Sequence, residues 1–93
     1  MNFDTEVEEL IEVALDIDQE KERDLIVYND DYNTFDHVID CLVAICDHDP
    51  IQAEQCAVLV HYKGSCEIAI GKTEDLIPLQ EDLSLYGLDV EIL

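Results

Sequence analysis

Asn29, Asp30 and Asp31 stand side by side in "VYNDDYNTF", and His61 stands further on in "VHYKG". An amide oxygen, two carboxylates and a neutral imidazole nitrogen are all hydrogen-bond acceptors. Gathered in one place, they suit a ligand rich in donors, above all a primary ammonium. Ala57 precedes His61 by one helical turn, on the same helix face, and Val60 stands beside it. Acceptors next to small apolar side chains would suit a chain end, with the α-amino group on the rim and the first side chain in the hole. An internal peptide or a capped terminus would leave those acceptors desolvated and unpaired, at ~1–3 kcal/mol each. Selectivity would then come from penalising the wrong ligand. Plainer readings exist for each part. A histidine commonly bonds a backbone carbonyl, and paired acids at a helix start are stabilised by the positive end of the helix dipole.

Other chemistry is less well supplied. Cys41, Cys46, Cys56 and Cys66 form no CxxC pair, and most fall at apolar helical positions, where a thiol behaves as a small hydrophobe. His37 and Cys41 lie one turn apart, with Cys46 and His48 close by, but the spacing matches no zinc signature. An enzyme reading would use Cys56 or Cys66 as nucleophile with His61, or a metal on His37 and Cys41. Cys56 and His61 point from diverging faces of one helix, and neither an oxyanion-hole motif nor a Gly-rich phosphate loop is present. The expectation is a protein that is not an enzyme and needs no cofactor or metal.

The chain around these residues is small and very acidic. Ninety-three residues make at most one domain with a modest core. Twenty-four Asp and Glu face four Lys and Arg, a formal net charge of −20 at pH 7. Such a surface repels phosphate backbones, so nucleic acid is not an expected partner. The same field favours cationic ligands, although charge also serves solubility. No apolar run approaches the ~20 residues of a membrane span. The acidic start "MNFDTEVEEL" has no positive n-region, so it does not read as a secretory signal, and the expected compartment is the cytoplasm.

The elements that must position the site can be read in order. Residues 1–22 form a dense acidic segment with Val7, Leu10, Ile11, Ala14 and Leu15 at helix-like spacing; a largely mobile tail is expected. The domain proper is expected over 23–93. "DLIVY" (24–28) reads as a strand. Asn33 has N-cap chemistry with Asp36 as its capping-box partner, opening a helix over about 34–46. Asp49, Pro50 and Gly64 bracket a second helix over about 50–62. "SCEIAI" (65–70) alternates as a strand. Thr73 is the expected cap of a third helical region ending at Gly87, with a break at Pro78. "LDVEIL" (88–93) alternates as a last strand. This β-α-α-β-α-β order predicts an α+β sandwich, a three-stranded antiparallel sheet covered on one face by three helices.

"NDDYNTFDHVIDCL", followed after a short spacer by "DPIQAEQCAVLVHYKG", resembles the ClpS family. These are adaptors that bind N-degron substrates and pass them to a Clp AAA+ unfoldase and its ClpP peptidase. The likeness is strong over 24–71 and weaker to the C-terminus, and its wording is most similar to adaptors of the Bacteroidota branch. It implies that Asn29 and His61 hold the substrate's α-amino group, with Asp31 assisting through a water and Asp30 adding negative potential. Val38, Ala57 and Val60 match walls of the pocket for the first side chain, Phe35 a gate, and Leu88 a wall from the last strand. Asn33 matches a rim position that contacts the substrate backbone. Glu74 lies near an acidic residue that docks on the unfoldase.

The resemblance has departures. Many members carry Thr where Asn33 stands and Met where Phe35 and Ala57 stand. The Lys that often follows the docking acid is missing from "LIPLQ". The implied partner is the N-domain of a ClpA- or ClpC-like unfoldase, and the implied ligands are proteins beginning with Leu, Phe, Tyr or Trp. A rival module of related architecture is the C-terminal domain of the acidic ribosomal stalk protein, which recruits translation factors. It has no need of an ammonium site.

Overall fold

The computed structural model describes residues 21–93. The acidic segment expected over 1–22 lies outside the described residues, apart from Lys21 and Glu22. The elements are β1 (Arg23–Tyr28), α1 (Phe35–Cys46), α2 (Pro50–Lys63), β2 (Ser65–Gly71), α3 (Thr73–Leu85) and β3 (Asp89–Ile92). They form the antiparallel three-stranded sheet and three helices that the pattern predicts, with strand order β2-β1-β3.

β1 is the central strand because its inward side chains are apolar. Leu25 and Val27 are almost wholly buried between the sheet and the helices. Leu42 of α1, Ala53 of α2, and Leu76 and Leu83 of α3 close over them. Burying a Leu or Val completely contributes about 1.5–3 kcal/mol, so these few side chains supply much of what holds the layers together.

Simple alternation along β2 would put Cys66, Ile68 and Ile70 on one face. The structure departs from this. Leu25 pairs with Ala69 but Ile26 pairs with Glu67, so Ile68 is an extra residue in a bulge. Beyond it the side-chain phase flips, and Ile70 turns outward, 57% exposed. The Ile68 carbonyl accepts a buried hydrogen bond of 2.7 Å from His48 Nε2, in the turn between α1 and α2. His48 is therefore a structural brace, and its Nδ1 is buried with no partner.

Three local expectations are corrected. Thr34, not Asn33, caps α1, its hydroxyl accepting from the His37 N–H at 3.1 Å. Asn33 is drawn elsewhere by stronger acceptors, described below. Lys72 rather than Thr73 occupies the cap position of α3, which has no side-chain cap; the Lys72 carbonyl takes the Asp75 and Leu76 amides instead. α3 also continues through Pro78 without a break. Pro78 faces solvent, so water can reach the Glu74 carbonyl that loses its i+4 donor. α2 matches expectation: the Asp49 side chain accepts from the Gln52 amide, Pro50 opens the helix, and Gly64 ends it at φ 92, a left-handed conformation that suits glycine.

Candidate functional site

The site forms where β1 ends, α1 begins and α2 ends. The Asn29 N–H donates to the Gly64 carbonyl at 2.9 Å, and the Gly64 N–H donates to the Val60 carbonyl at 3.0 Å. These bonds tie the acidic loop to the last turn of α2, which carries His61. A cavity of about 40 Å³ lies at this junction, lined by Asn29, Asn33, Phe35, Val38, Ala57, Val60 and His61. An adjoining outer depression of about 570 Å³ shares Asn29, Asn33, Phe35 and His61 and adds Asp30, Asp31, Val58 and Tyr62. Acceptors thus surround the mouth, and Val38, Ala57 and Val60, all buried, form the floor.

The loop is shaped by its own hydrogen bonds. Asp30 Oδ1 accepts from the backbone amides of Tyr32 (2.9 Å) and Asn33 (2.8 Å). Asp30 Oδ2 accepts from Asn33 Nδ2 at 2.6 Å. Burial pushes the Asp30 carboxyl up, but the bonds from the Asn33 amide, the Asn33 side chain and the Tyr32 amide, with the charge of His37, outweigh it and hold it below the usual carboxylate range. Asp30 therefore builds the loop with both oxygens. Asp31 is exposed and lines the outer depression.

Helix dipoles strengthen the pattern. The N-terminus of α1 places partial positive charge behind Asp30 and Asp31 and eases their mutual repulsion. The C-terminus of α2 places partial negative charge near His61, where a cation would be favoured. His61 is exposed, and its ring meets that of Tyr62 edge-on at 4.9 Å between centroids.

Nine of the residues singled out in the sequence converge here, namely those of the loop, Phe35, the apolar floor and His61. Two do not. Leu88 is 5% exposed and packs in the central core rather than lining the cavity. Glu74 is exposed in the first turn of α3, on a different element. Sequence reasoning missed Val58 and Tyr62; Val58 lies three residues before His61 on the same helix face, while Tyr62, its immediate neighbour, carries no such signal. It also missed that the turn 86–88 is held against the site. His37 Nε2 donates to the Tyr86 carbonyl at 2.9 Å, and Asn33 Nδ2 donates to the Gly87 carbonyl at 2.8 Å. Nothing in the sequence ties those positions together.

The thiols lie apart from this chemistry. All four are free. Burial raises Cys46 to about 11 and also raises Cys66 and Cys41, so none of these three is a ready thiolate. Cys56 is buried while His61 is exposed. Among the described residues, no group of three or more His, Cys, Asp or Glu side chains could hold a metal ion, and no helix is long and apolar enough to cross a membrane.

A small α+β scaffold with acceptors around the mouth of an apolar cavity has the geometry of a binding module. The family model described as "ATP-dependent Clp protease adaptor protein ClpS" matches residues 18–91, and the chain belongs to the ClpS family. Its members are adaptors rather than catalysts. Comparison with curated proteins returns no match. Among solved structures, Agrobacterium tumefaciens ClpS2 bound to L-phenylalaninamide is similar in fold, with a TM-score of 0.68 at 18% identity, covering 78% of this chain and 98% of that one.

Proposed function

We propose that this protein binds polypeptides through a free N-terminal residue with a bulky apolar side chain and delivers them to a Clp unfoldase for degradation. The observation that carries the reading is the shared lining of one depression by Asn29, Asp31 and His61, directly above a cavity floored by Val38, Ala57 and Val60. An α-ammonium offers the donors those acceptors need, and the first side chain follows it inward. Family membership, and the amidated phenylalanine held by the A. tumefaciens relative, support the same ligand class.

The cavity in its present shape holds little more than water, since a water needs ≳10–15 Å³ while an apolar hole that takes benzene is on the order of 150 Å³. A bulky side chain must therefore displace something. Phe35 lines both the cavity and the depression and is 42% exposed, so it is the wall with room to swing, which fits a gate.

For delivery, the exposed Glu74 on α3 is the proposed contact with the N-domain of a ClpA- or ClpC-like unfoldase. Residues 23–93 act as the adaptor domain and 1–22 as a delivery segment, in the cytoplasm where such unfoldases work. The test is a fluorescence titration with labelled Phe-, Leu-, Tyr- and Trp-led peptides beside their N-acetylated forms. The free-amine peptides should bind and the acetylated ones should not. Equal binding of both forms would mean that the ammonium is not read.

A further inference from the structure

Asn33 has the chemistry of a helix cap, but Thr34 takes that role, which leaves the Asn33 amide for another purpose. Its Nδ2 carries two N–H groups. One meets Asp30 Oδ2 at 2.6 Å, and the other meets the Gly87 carbonyl at 2.8 Å. The two acceptors belong to different parts of the molecule. Asp30 organises the loop that carries Asn29 and Asp31. Gly87, at φ 90, is the left-handed residue that turns α3 into β3. One turn along α1, His37 bonds the adjacent Tyr86 carbonyl at 2.9 Å. Among the described residues two side chains bond the turn, and Asn33 carries the link on into the acidic loop by a second hydrogen bond.

We infer that Asn33 is a positioning residue for ammonium recognition. Its amide bridges the Asp30 carboxylate to the Gly87 carbonyl and so sets where the Asn29–Asp31 mouth stands above the apolar cavity. This rests on the proposed ammonium-binding role of the site. The bridge needs two donors on one planar group. A hydroxyl at this position supplies a single donor, and a carboxylate supplies none and repels Asp30. The alternative role, a rim contact to the substrate backbone beyond the first residue, makes a different prediction, because it matters only to ligands that have such a backbone.

The experiment uses the full chain as wild type, Asn33→Ala, Asp30→Ala and the double variant, with Asn33→Thr as a milder change should Asn33→Ala fold poorly. Affinity is measured for phenylalaninamide, which has nothing beyond its first residue, and for a Phe-led hexapeptide, with thermal melts alongside. Removing the bridge should weaken both ligands by a similar factor, about tenfold for Asn33→Ala and less for Asn33→Thr, in protein that is folded at the assay temperature. Asp30→Ala should cost less on the Asn33→Ala background than on the wild type, the signature of two groups acting through one contact. A loss confined to the hexapeptide would assign Asn33 to the rim and overturn the inference. Lowered melting temperature with unchanged affinity would overturn it too, by reducing Asn33 to a structural part. These outcomes leave the ammonium reading intact. Wild type that binds N-acetylphenylalaninamide as well as phenylalaninamide would remove that reading, and the inference with it.

Discussion

The Asn29 amide donates to the Gly64 carbonyl at 2.9 Å, joining the end of the central strand to the cap of α2. Through this one backbone bond, the acidic loop and the turn carrying His61 share a fixed frame. The bond forms because Gly64, in a left-handed conformation, turns its carbonyl away from α2, and because β1 pairs with the strand that Gly64 introduces.

That frame makes His61 testable by substitution. A neutral imidazole nitrogen can accept from an ammonium, and an alanine side chain cannot. His61→Ala should bind a Phe-led peptide about tenfold more weakly than wild type. Titration by anisotropy measures the loss, and unchanged affinity in the variant would exclude His61 as an acceptor.

Ala57 floors a cavity of only about 40 Å³. Ala57→Met would place a thioether chain there, and overfilling a packed site costs about 1–3 kcal/mol. Trp- and Phe-led peptides should lose about tenfold in affinity relative to Leu-led ones. Competition between the peptides for one labelled probe measures the ratio. An unchanged ranking would place the first side chain elsewhere.

Asp30 should contribute an acid-sensitive element of stability. Its folded carboxyl lies below its ordinary 3.8 because hydrogen bonds favour the ionised form. A depressed acid stabilises the fold above its unfolded value and loses that contribution as the pH falls through the folded one. The effect is small, because the carboxyl is largely open to solvent. Asp30→Ala should melt below wild type at neutral pH, with the gap closing towards pH 3. A gap that stays constant in melts across that range would show that the charge plays no part in ordering the loop.

His48→Ala should destabilise the domain without touching the site. It removes the buried bond to the Ile68 carbonyl and leaves that acceptor in the bulge unpaired. The expected cost is about 2 kcal/mol, or roughly 10 °C in melting midpoint for a domain of this size. Calorimetry measures it, and peptide affinity at a temperature where both proteins are folded should not change.

The order of elements, the caps at Asp49 and Gly64 and the acceptor cluster were legible because each is a local matter of periodicity or side-chain chemistry. The bulge at Ile68 was not, since an extra residue in a strand becomes visible only against its partner's register. Leu88, a pocket wall by resemblance, belongs to the same core cluster as the cavity floor without lining the cavity, a placement that depends on how the chain after α3 packs. Asn33 and Thr34 both have cap chemistry, and the Asp30 carboxylate together with the approach of Gly87 decides between them by engaging the Asn33 amide.

By itself the sequence determined the helices and strands, the acidic field and the kinds of groups available to a ligand, because these follow from short-range propensity and composition. The tertiary structure alone decided that Asp30 points its oxygens into its own loop while Asp31 lines the mouth, and that Asn33 spans from one end of the domain's chain to the other. The physical reason is that a hydrogen-bonding side chain can serve any of several partners, and which one it finds depends on what packing brings within about 3 Å of it.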